Sequence, residues 1–381
     1  MGKVIQFATD TLRALVGGLG DPLRDKAAGV YYAAPFLTDH DLLNAYRGSW
    51  LPRKIVDIPA LDSTRKWRDW QAEAGQIEKI EEEEKRLGLK AKVYEARVKA
   101  RLFGGSAIYI ATGDANPAIE LNADRIGSQG VKFLTVLNRR VLKPGEIETD
   151  PESQFYGRPK VYTLTTGIRQ VDIHPSRLVI FVGAPFPDDE LPADPNNYGW
   201  GDSVLTATLD AIKNADSTAA NVASLVFEAK IDVVKVPQLM ASLSASDYRE
   251  RLLERFALAA AAKGNNGTLI LDAEEEYQQK SATFQTLPDV MDRFLQIVAG
   301  AADIPLTRLL GTSPGGLNST GESDLRNYYD RISSMQEIEM QPAMQVLDEC
   351  LIRSALGARP PEGMEDPNLT DAGGGFISAM P

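Results

Sequence analysis

The residue types that most often do chemistry in proteins are scarce in this chain of 381 residues. There are two histidines, His40 and His174, which lie far apart in the sequence, and one cysteine, Cys350. Neither histidine belongs to a HExxH pattern, and a single cysteine supplies neither an internal disulfide nor a cysteine-based zinc site. No stretch matches the GxxxxGKS or GxxxxGKT pattern of a phosphate-binding loop. The sequence therefore predicts no catalytic residue, no metal site and no cofactor.

The charge of the chain limits how it can meet nucleic acid. It has 53 acidic and 41 basic residues and a formal net charge of −12. Tight or sequence-specific binding to duplex DNA needs a basic footprint, because Lys and Arg displace counterions from the phosphates. We expect this chain to repel DNA on average and to restrict any contact to a few positions.

Two charged stretches each have two interpretations. Residues 46–68 interleave basic and aromatic side chains, which can stack on nucleic acid. We favour the alternative, in which the stretch packs within a folded domain and forms intersubunit arginine–carboxylate pairs. Residues 81–84 are four consecutive glutamates. They favour a solvated helix face over a metal site, because consecutive residues of a helix point in different directions.

Hydrophobic periodicity places helices before strands in the first half of the chain. Residues 39–70, punctuated by Pro52 and Pro59, and residues 76–102 have helical spacing, and two glycines at 104 and 105 end the second helix. Short β-branched segments follow at 106–112, 131–137, 160–166, 168–173 and 178–182. This order predicts an α+β fold with a mostly antiparallel sheet.

The second half alternates long helices with a small α/β insert. Residues 202–227 predict a helix about 39 Å long. A strand at 231–236, a helix at 248–263 and a strand at 268–272 form a β-α-β module. A helix from Pro288 to Asp303, a Gly-, Ser- and Asn-rich stretch at 304–321 and a helix at 322–356 follow. Pro342 predicts a kink in the last helix, because proline removes a backbone hydrogen bond and clashes with the preceding turn.

Two further patterns concern surroundings and partners. No apolar run approaches the roughly 18 residues of a membrane span, and the first ten residues lack a signal-peptide core, so we expect neither secretion nor a membrane anchor. The helix at 202–227 repeats apolar residues at three- and four-residue spacing, and we expect copies of the chain in a ring to bury them: Leu205, Leu209, Ile212, Ala215, Ala219 and Val222.

Several segments resemble the portal proteins of tailed bacteriophages. The stretch at 311–330, GTSPGGLNSTGESDLRNYYD, resembles their signature. Residues 9–12, TDTL, and 46–59, YRGSWLPRKIVDIP, are similar to one subgroup of that family. Residues 173–178 and 199–205 resemble the broader portal pattern that leads into the first long helix. The resemblance extends over about residues 9–356.

The resemblance implies the phage portal fold: an α/β wing, a two-helix stem, an α/β clip, a tunnel loop and a long kinked helix. On this chain the wing is 1–201 and the stem helices are 202–228 and 286–303. The clip is 229–285, the tunnel loop 304–321 and the kinked helix, which completes the wing, 322–356. Residues 357–381 are a mobile tail or a reduced crown, because 25 residues cannot form a large crown.

The resemblance also implies a function and partners. Portal proteins form a homo-dodecameric ring at a unique capsid vertex, through which double-stranded DNA passes during packaging and ejection. The implied partners are the terminase large subunit, a head–tail connector or adaptor and the major capsid protein, with no membrane partner. The implied location is the portal vertex of the virion, after assembly in the host cytoplasm.

The tunnel loop is the candidate DNA-contacting site implied by this map. Backbone amides and short polar side chains there can touch phosphates without reading sequence. For Arg308 a channel-facing position and an ion pair with Asp303 are both open, and we favour the pair. The candidate site residues are Arg308, Thr312, Ser313, Asn318, Ser319 and Thr320, with Pro342 at the helix kink.

The alternative function is a phage phosphoesterase or nuclease. Some proteins of the subgroup are associated with two-histidine phosphoesterases, which need two His-x-Ser/Thr motifs. His174-Pro175-Ser176 is one such motif, and the residues after His40 do not supply the second. We therefore expect no enzyme activity and assign His174 to the end of a strand.

Overall fold

The computed structural model describes residues 37–153, 156–186, 199–227, 230–235, 250–252, 254, 276–281, 284–311 and 322–357. The chain divides into two compact units. The first consists of Met1–Leu209 with Ala301–Pro381, and the second is Asp210–Gly300. The first unit therefore contains both the N-terminal and the C-terminal part of the sequence.

Four helices begin the described part of the first unit, where the sequence predicts two. They are α1 Asp39–Gly48, α2 Trp50–Arg65, α3 Ala74–Leu87 and α4 Leu89–Phe103. The single helix predicted over 76–102 is wrong, because Gly88 has a left-handed φ of 62° that ends α3 and starts a new helix. The helix predicted over 39–70 is broken by the extended backbone of Ser49.

Two antiparallel three-stranded sheets follow the helices. One has the order β2-β1-β6, with β1 Gly105–Ala111, β2 Phe133–Asn138 and β6 Leu178–Val182. The other has the order β3-β4-β5, with β3 Leu142–Pro144, β4 Tyr162–Thr166 and β5 Arg169–Ile173. All five predicted strands are present, and the three-residue β3 was missed. The α+β class is confirmed.

Close backbone approach explains the glycines around β1. The Gly104 carbonyl, at a φ of 90°, accepts hydrogen bonds from the amides of Gly183 and Gly201 at 2.9 and 3.0 Å. A Cβ atom at Gly105 would collide with the indole ring of Trp200. Trp200 therefore packs directly on the backbone of the first strand. The centroids of the Trp200 and Tyr162 rings lie 5.5 Å apart.

The long C-terminal helix closes the core of the first unit. It consists of α8 Glu322–Met335, a π-helical segment Gln336–Met340 and α9 Gln341–Leu356. Helix α9 packs on α3, and its apolar side chains join those of α4, β1 and β6 in one buried cluster. Its fully buried members include Val93, Ala96, Ile108, Ile110, Val179, Met344, Leu347 and Leu351.

The π-helical segment lies immediately before Pro342, the residue predicted to bend the helix. Pro342 has no N–H for the Ile338 carbonyl, and its ring crowds that carbonyl. A π turn widens the backbone, and such turns relieve local strain within α-helices. The kink itself stays a prediction, and the structure adds the wider turn next to it.

The second unit contains two helices and a two-stranded sheet within the described residues. Helix α5 Leu209–Phe227 leads to β7 Lys230–Lys235, which pairs antiparallel with β8 Glu276–Ser281 before α6 Leu287–Ala302. Strand β8 was not predicted. The predicted strand at 268–272, and most of the helix at 248–263, lie outside the described residues, as do residues 358–381 of the predicted tail or crown.

Helix α5 begins seven residues later than predicted and buries part of its apolar face without a second copy. Leu205, Leu209, Ile212 and Ala215 are buried in the single chain, which corrects the expectation that ring neighbours cover them. In the described part of the chain, no helix is both long and apolar enough to cross a membrane.

A buried arginine compensates for the proline inside α2. Pro59 has no N–H, so the carbonyl of Ile55 loses its partner within the helix. Arg101 of α4 replaces that partner: its Nη2 donates to the Ile55 carbonyl at 2.9 Å and its Nε to the Val56 carbonyl at 3.1 Å. Burial, together with the nearby charge of Arg97, lowers the pKa of Arg101 to about 9. The two helices are thus joined at the proline.

Replacing Arg101 by methionine should lower the free energy of unfolding by about 3 kcal/mol, because buried carbonyls lose charged donors. In a Pro59→Ala background the same replacement should cost about 1 kcal/mol less, because the alanine N–H can bond the Ile55 carbonyl. Urea unfolding followed by tryptophan fluorescence measures both, since all four tryptophans lie in the first unit. Equal costs in the two backgrounds would show that Arg101 does not compensate for Pro59.

Candidate functional site

The candidate site is the stretch predicted as the tunnel loop, residues 304–321. Its described part differs from a loop: Leu306–Leu310 forms a short helix, α7, which ends where Gly311 adopts a φ of 75°. The chain is described again from Glu322, the first residue of α8. The other five candidate residues lie outside the described residues, and their contact with DNA stays a prediction: Thr312, Ser313, Asn318, Ser319 and Thr320.

One buried carboxylate, that of Asp62, binds described residues on both sides of 312–321, the part of the predicted loop that lies outside the described residues. Arg308, before it, donates from Nε and Nη2 to the two Asp62 oxygens at 3.1 and 2.9 Å. Tyr328, after it, donates its hydroxyl to Asp62 Oδ2 at 2.9 Å. The Asp62 side chain is 0% exposed, so the three donors replace its lost hydration. The described residues before and after 312–321 therefore share one buried partner, Asp62.

The pairing of Arg308 differs from the expected one. Its partner is Asp62, and Asp303 instead pairs with Arg331 of α8. The hydrogen bonds from Arg308 to Asp62 are the largest cause that raises the pKa of the arginine. The expected Arg308–Asp303 pair is therefore wrong, and contact between Arg308 and DNA stays a prediction. In the structure Arg308 joins α7 to Asp62 of α2.

Helix α2 is the platform for both flanks of the stretch. Lys54 donates from Nζ to the Leu309 carbonyl of α7 at 2.6 Å. Gln336, in the π-helical segment after α8, donates from Nε2 to the Ser63 carbonyl of α2 at 2.8 Å. The same helix that carries Asp62 thus contacts α7 and the long helix through independent bonds.

The end of the basic and aromatic stretch packs within the chain. Arg68 donates from Nε to Glu84 of α3 at 2.9 Å and contacts Asp348 of α9 with Nη1. Trp67 donates from its indole nitrogen to the second Glu84 oxygen at 2.7 Å. These arginine–carboxylate pairs are intramolecular, whereas intersubunit pairs were expected.

Two of the four glutamates at 81–84 are buried, which corrects the prediction of a solvated face. Glu83 accepts from Arg86 and from the Ser354 hydroxyl, and Glu84 accepts from Arg68. Positions 83 and 84 share a helix face with Ile80 and Leu87, which are buried as well. That spacing was the signal in the sequence, and the run of like charges obscured it.

The shared guanidinium of Arg68 explains the titration of Asp348. Burial is the largest cause that raises the pKa of this carboxyl, from its ordinary value of 3.8 to about 6. Arg68 opposes that shift, but it also serves Glu84, so one cation faces two carboxylates. The folded state consequently holds the Asp348 proton more tightly than the unfolded chain does.

The His-x-Ser motif closes a turn at the end of β5, as predicted for His174. Its Nδ1 lies 2.8 Å from the Ser176 hydroxyl and accepts from the Ser176 amide at 3.3 Å, which caps the 3-10 turn Pro175–Arg177. The Ser176 hydroxyl also accepts from the Leu121 amide at 2.8 Å. Burial lowers the pKa of His174. Among the described residues, no group of three or more His, Cys, Asp or Glu could hold a metal ion.

A family model described as phage portal protein matches residues 40–364, and the chain belongs to that family. A chain in the neck of an empty GTA particle shares its fold with a TM-score of 0.51 at 16% identity, covering 93% of this chain and 92% of that one. The predicted portal fold is confirmed.

Two curated relatives have names that do not mention a portal. Proteins from Caulobacter sp. (strain RHG1) and Sphingomonas paeninsulae, both called anti-CBASS protein Acb1, are 42% and 39% identical to this chain over 368 and 361 residues. Each match covers 93% of this chain but only 58% and 57% of the relatives. The chain thus spans less than three fifths of their length.

Replacing Arg308 by methionine should lower the free energy of unfolding by about 3–5 kcal/mol, because Asp62 would remain buried with one donor. Adding Asp62→Asn should restore part of that loss by removing the buried charge. Arg331→Met is the matched control: its pair with Asp303 is exposed, and its removal should cost under about 1 kcal/mol. Urea unfolding measures all four proteins, and equal losses for Arg308→Met and Arg331→Met would contradict the anchor.

The raised pKa of Asp348 predicts a pH dependence. Its contribution to stability is complete below about pH 4 and is lost as the pH rises through about 6. Asp348→Asn should remove this loss, because the amide does not ionise. The unfolding free energy of the variant minus that of the wild type should rise by on the order of 2–3 kcal/mol between pH 4 and 7. A constant difference across that range would refute the assignment.

Proposed function

We propose that this chain forms a closed ring of twelve copies that serves as the portal of a phage-like particle. Double-stranded DNA passes through the ring during packaging and ejection, and the polar stretch at 312–321 lines the passage. The observation that carries the proposal is the shared Asp62 partner of Arg308 and Tyr328, the described residues that flank that stretch, in a chain of the portal family.

Exposed apolar side chains in the second unit support self-association. Leu225 and Val226 of α5, and Val290 and Ile297 of α6, are exposed in the single chain. Burial of such side chains between copies is favourable by about 25 cal/mol per Å² of apolar surface removed from water. The described part of the second unit therefore has apolar surface that neighbouring copies could bury.

The acidity of the chain suits a passage for DNA. Twelve copies with a formal net charge of −12 each form a strongly negative ring, which does not trap a polyanion. Short polar side chains and backbone amides at 312–321 would then supply brief, sequence-independent contacts with phosphates. This combination allows DNA to slide.

The same proposal includes the other partners. The ring would sit at the portal vertex of the virion, against the major capsid protein, after assembly in the host cytoplasm. It would dock the terminase large subunit during packaging and a head–tail connector or adaptor afterwards. Membership of the phage portal protein family supports these proposed contacts.

We propose further that the chain is not an enzyme. The structural roles of His174 and Ser176 support this, because His174 Nδ1 caps the turn at Ser176 and the Ser176 hydroxyl bonds His174 and the Leu121 amide. The names of the two relatives favour a second candidate, an anti-CBASS activity of the phosphoesterase or nuclease type. We assign that activity to the part of the relatives that this chain does not match.

The purified chain should assemble into rings of about half a megadalton with twelvefold symmetry, seen by native mass spectrometry and by electron microscopy down the ring axis. Rings in which Ser313, Asn318, Ser319 and Thr320 are alanine should form normally but retain DNA less well at low salt. Monomers under all assembly conditions would refute the ring. Cleavage of DNA or cyclic nucleotides by the purified chain would favour the second candidate.

A further inference from the structure

An exposed stripe of cationic and apolar side chains runs along α2. Trp50, Arg53, Asp57, Leu61 and Arg65 recur at three- and four-residue spacing and so share one face of the helix. Trp50 is 49% exposed and Leu61 46% exposed, although both are large and apolar. We call these five residues the α2 stripe.

A knob of the opposite charge protrudes from the π-helical segment. Glu337, Ile338 and Glu339 are all exposed, and Ile338 is 76% exposed although it is aliphatic. Met340 and Gln336 on either side are buried, which holds the three residues outward. π-helical turns of this kind are frequently found at functional sites. We call residues 337–339 the π knob.

We propose that the π knob of one copy docks on the α2 stripe of its neighbour in the ring. This inference rests on the proposed ring and names a contact that builds it. A ring closes through a heterologous interface, in which two different patches of the same chain meet. All three knob residues and four of the five stripe residues are exposed in the single chain, and Asp57 is half-buried beside Tyr46, so neither patch covers the other within one copy.

The composition of the two patches is complementary. Ile338 is an aliphatic knob between two carboxylates, and the stripe offers Trp50 and Leu61 among arginines. Ile338 would remove apolar surface from water, and Glu337 would meet a cationic surface beside Arg53. Glu339 already accepts from the buried Arg97 at 3.2 Å, which fixes the side of the knob that faces the core.

Nucleic acid fits the stripe less well than this acidic segment does. The rings that would stack on bases are covered by cations of the same chain, since Lys54 lies 5.2 Å from the Trp50 ring and Arg53 5.4 Å from the Tyr46 ring. Leu61 gains nothing from a phosphate backbone.

Charge reversal and its rescue test the contact. Arg53→Glu and Glu337→Arg should each raise the protein concentration for half-maximal ring assembly about tenfold or more, because each places like charges together. The double variant should return to within about threefold of the wild type. Glu82→Arg, at an exposed glutamate of α3, is the matched control and should leave assembly unchanged.

A mixing experiment tests the head-to-tail geometry. Ile338→Asp spoils only the knob, and Leu61→Asp spoils only the stripe. Each variant alone should remain monomeric, and an equal mixture should stop at pairs, because one intact knob meets one intact stripe and the remaining two patches are spoiled. Ile168→Asp is the control: Ile168 is 104% exposed but belongs to neither patch, and it should assemble into rings.

Native mass spectrometry reads both experiments, with circular dichroism to show that each variant is folded. If the wild type forms rings and every variant assembles as well as it does, this contact is overturned and the proposed ring stands. If the wild type itself forms no rings, the proposed function is refuted. Normal assembly of Arg53→Glu combined with weaker, salt-dependent retention of DNA would overturn the protein contact and assign the stripe to nucleic acid.

Discussion

The burial of one carboxylate, that of Asp62, constrains how this chain can carry a polar stretch between two helices. A buried carboxylate is costly unless donors replace its hydration. Here the donors come from Arg308 and Tyr328, which lie 20 residues apart on the two sides of 312–321. The same charge that would destabilise the core therefore joins α7, which carries Arg308, to α8, which carries Tyr328.

Two prolines show two solutions to the same loss of a backbone hydrogen bond. At Pro59 the freed carbonyl of α2 receives a donor from Arg101 of another helix, and the backbone stays α-helical. At Pro342 the chain instead passes through a π-helical segment just before the proline. The first solution ties two helices together, and the second exposes three consecutive side chains at the bulge. This chain uses both solutions within its first unit.

The sequence predicted the elements better than their partners. Strand periodicity identified five strands, and the motif at 311–330 identified the family, because both signals are local. Gly88 was missed as a helix end because the apolar spacing continues across it. The role of Asp62 could not be predicted, because its partners lie about 250 residues away and no local pattern marks a carboxylate that distant donors satisfy. Glu83 and Glu84 were wrongly predicted to be exposed, because the run of like charges hid their helical spacing with Ile80 and Leu87.

The seat of Trp200 on Gly105 has a consequence for how this chain can diverge. The indole lies where any side chain at 105 would be, and the backbone of Gly104 and Gly201 is in hydrogen-bonding contact beside it. Substitutions at positions 105 and 200 are therefore coupled: a methyl group at 105 fits only if Trp200 has already been replaced by a smaller residue. A Cβ atom at Gly104 or Gly201 would collide with backbone atoms in the same way, so none of the three glycines can be replaced without a shift of its neighbours.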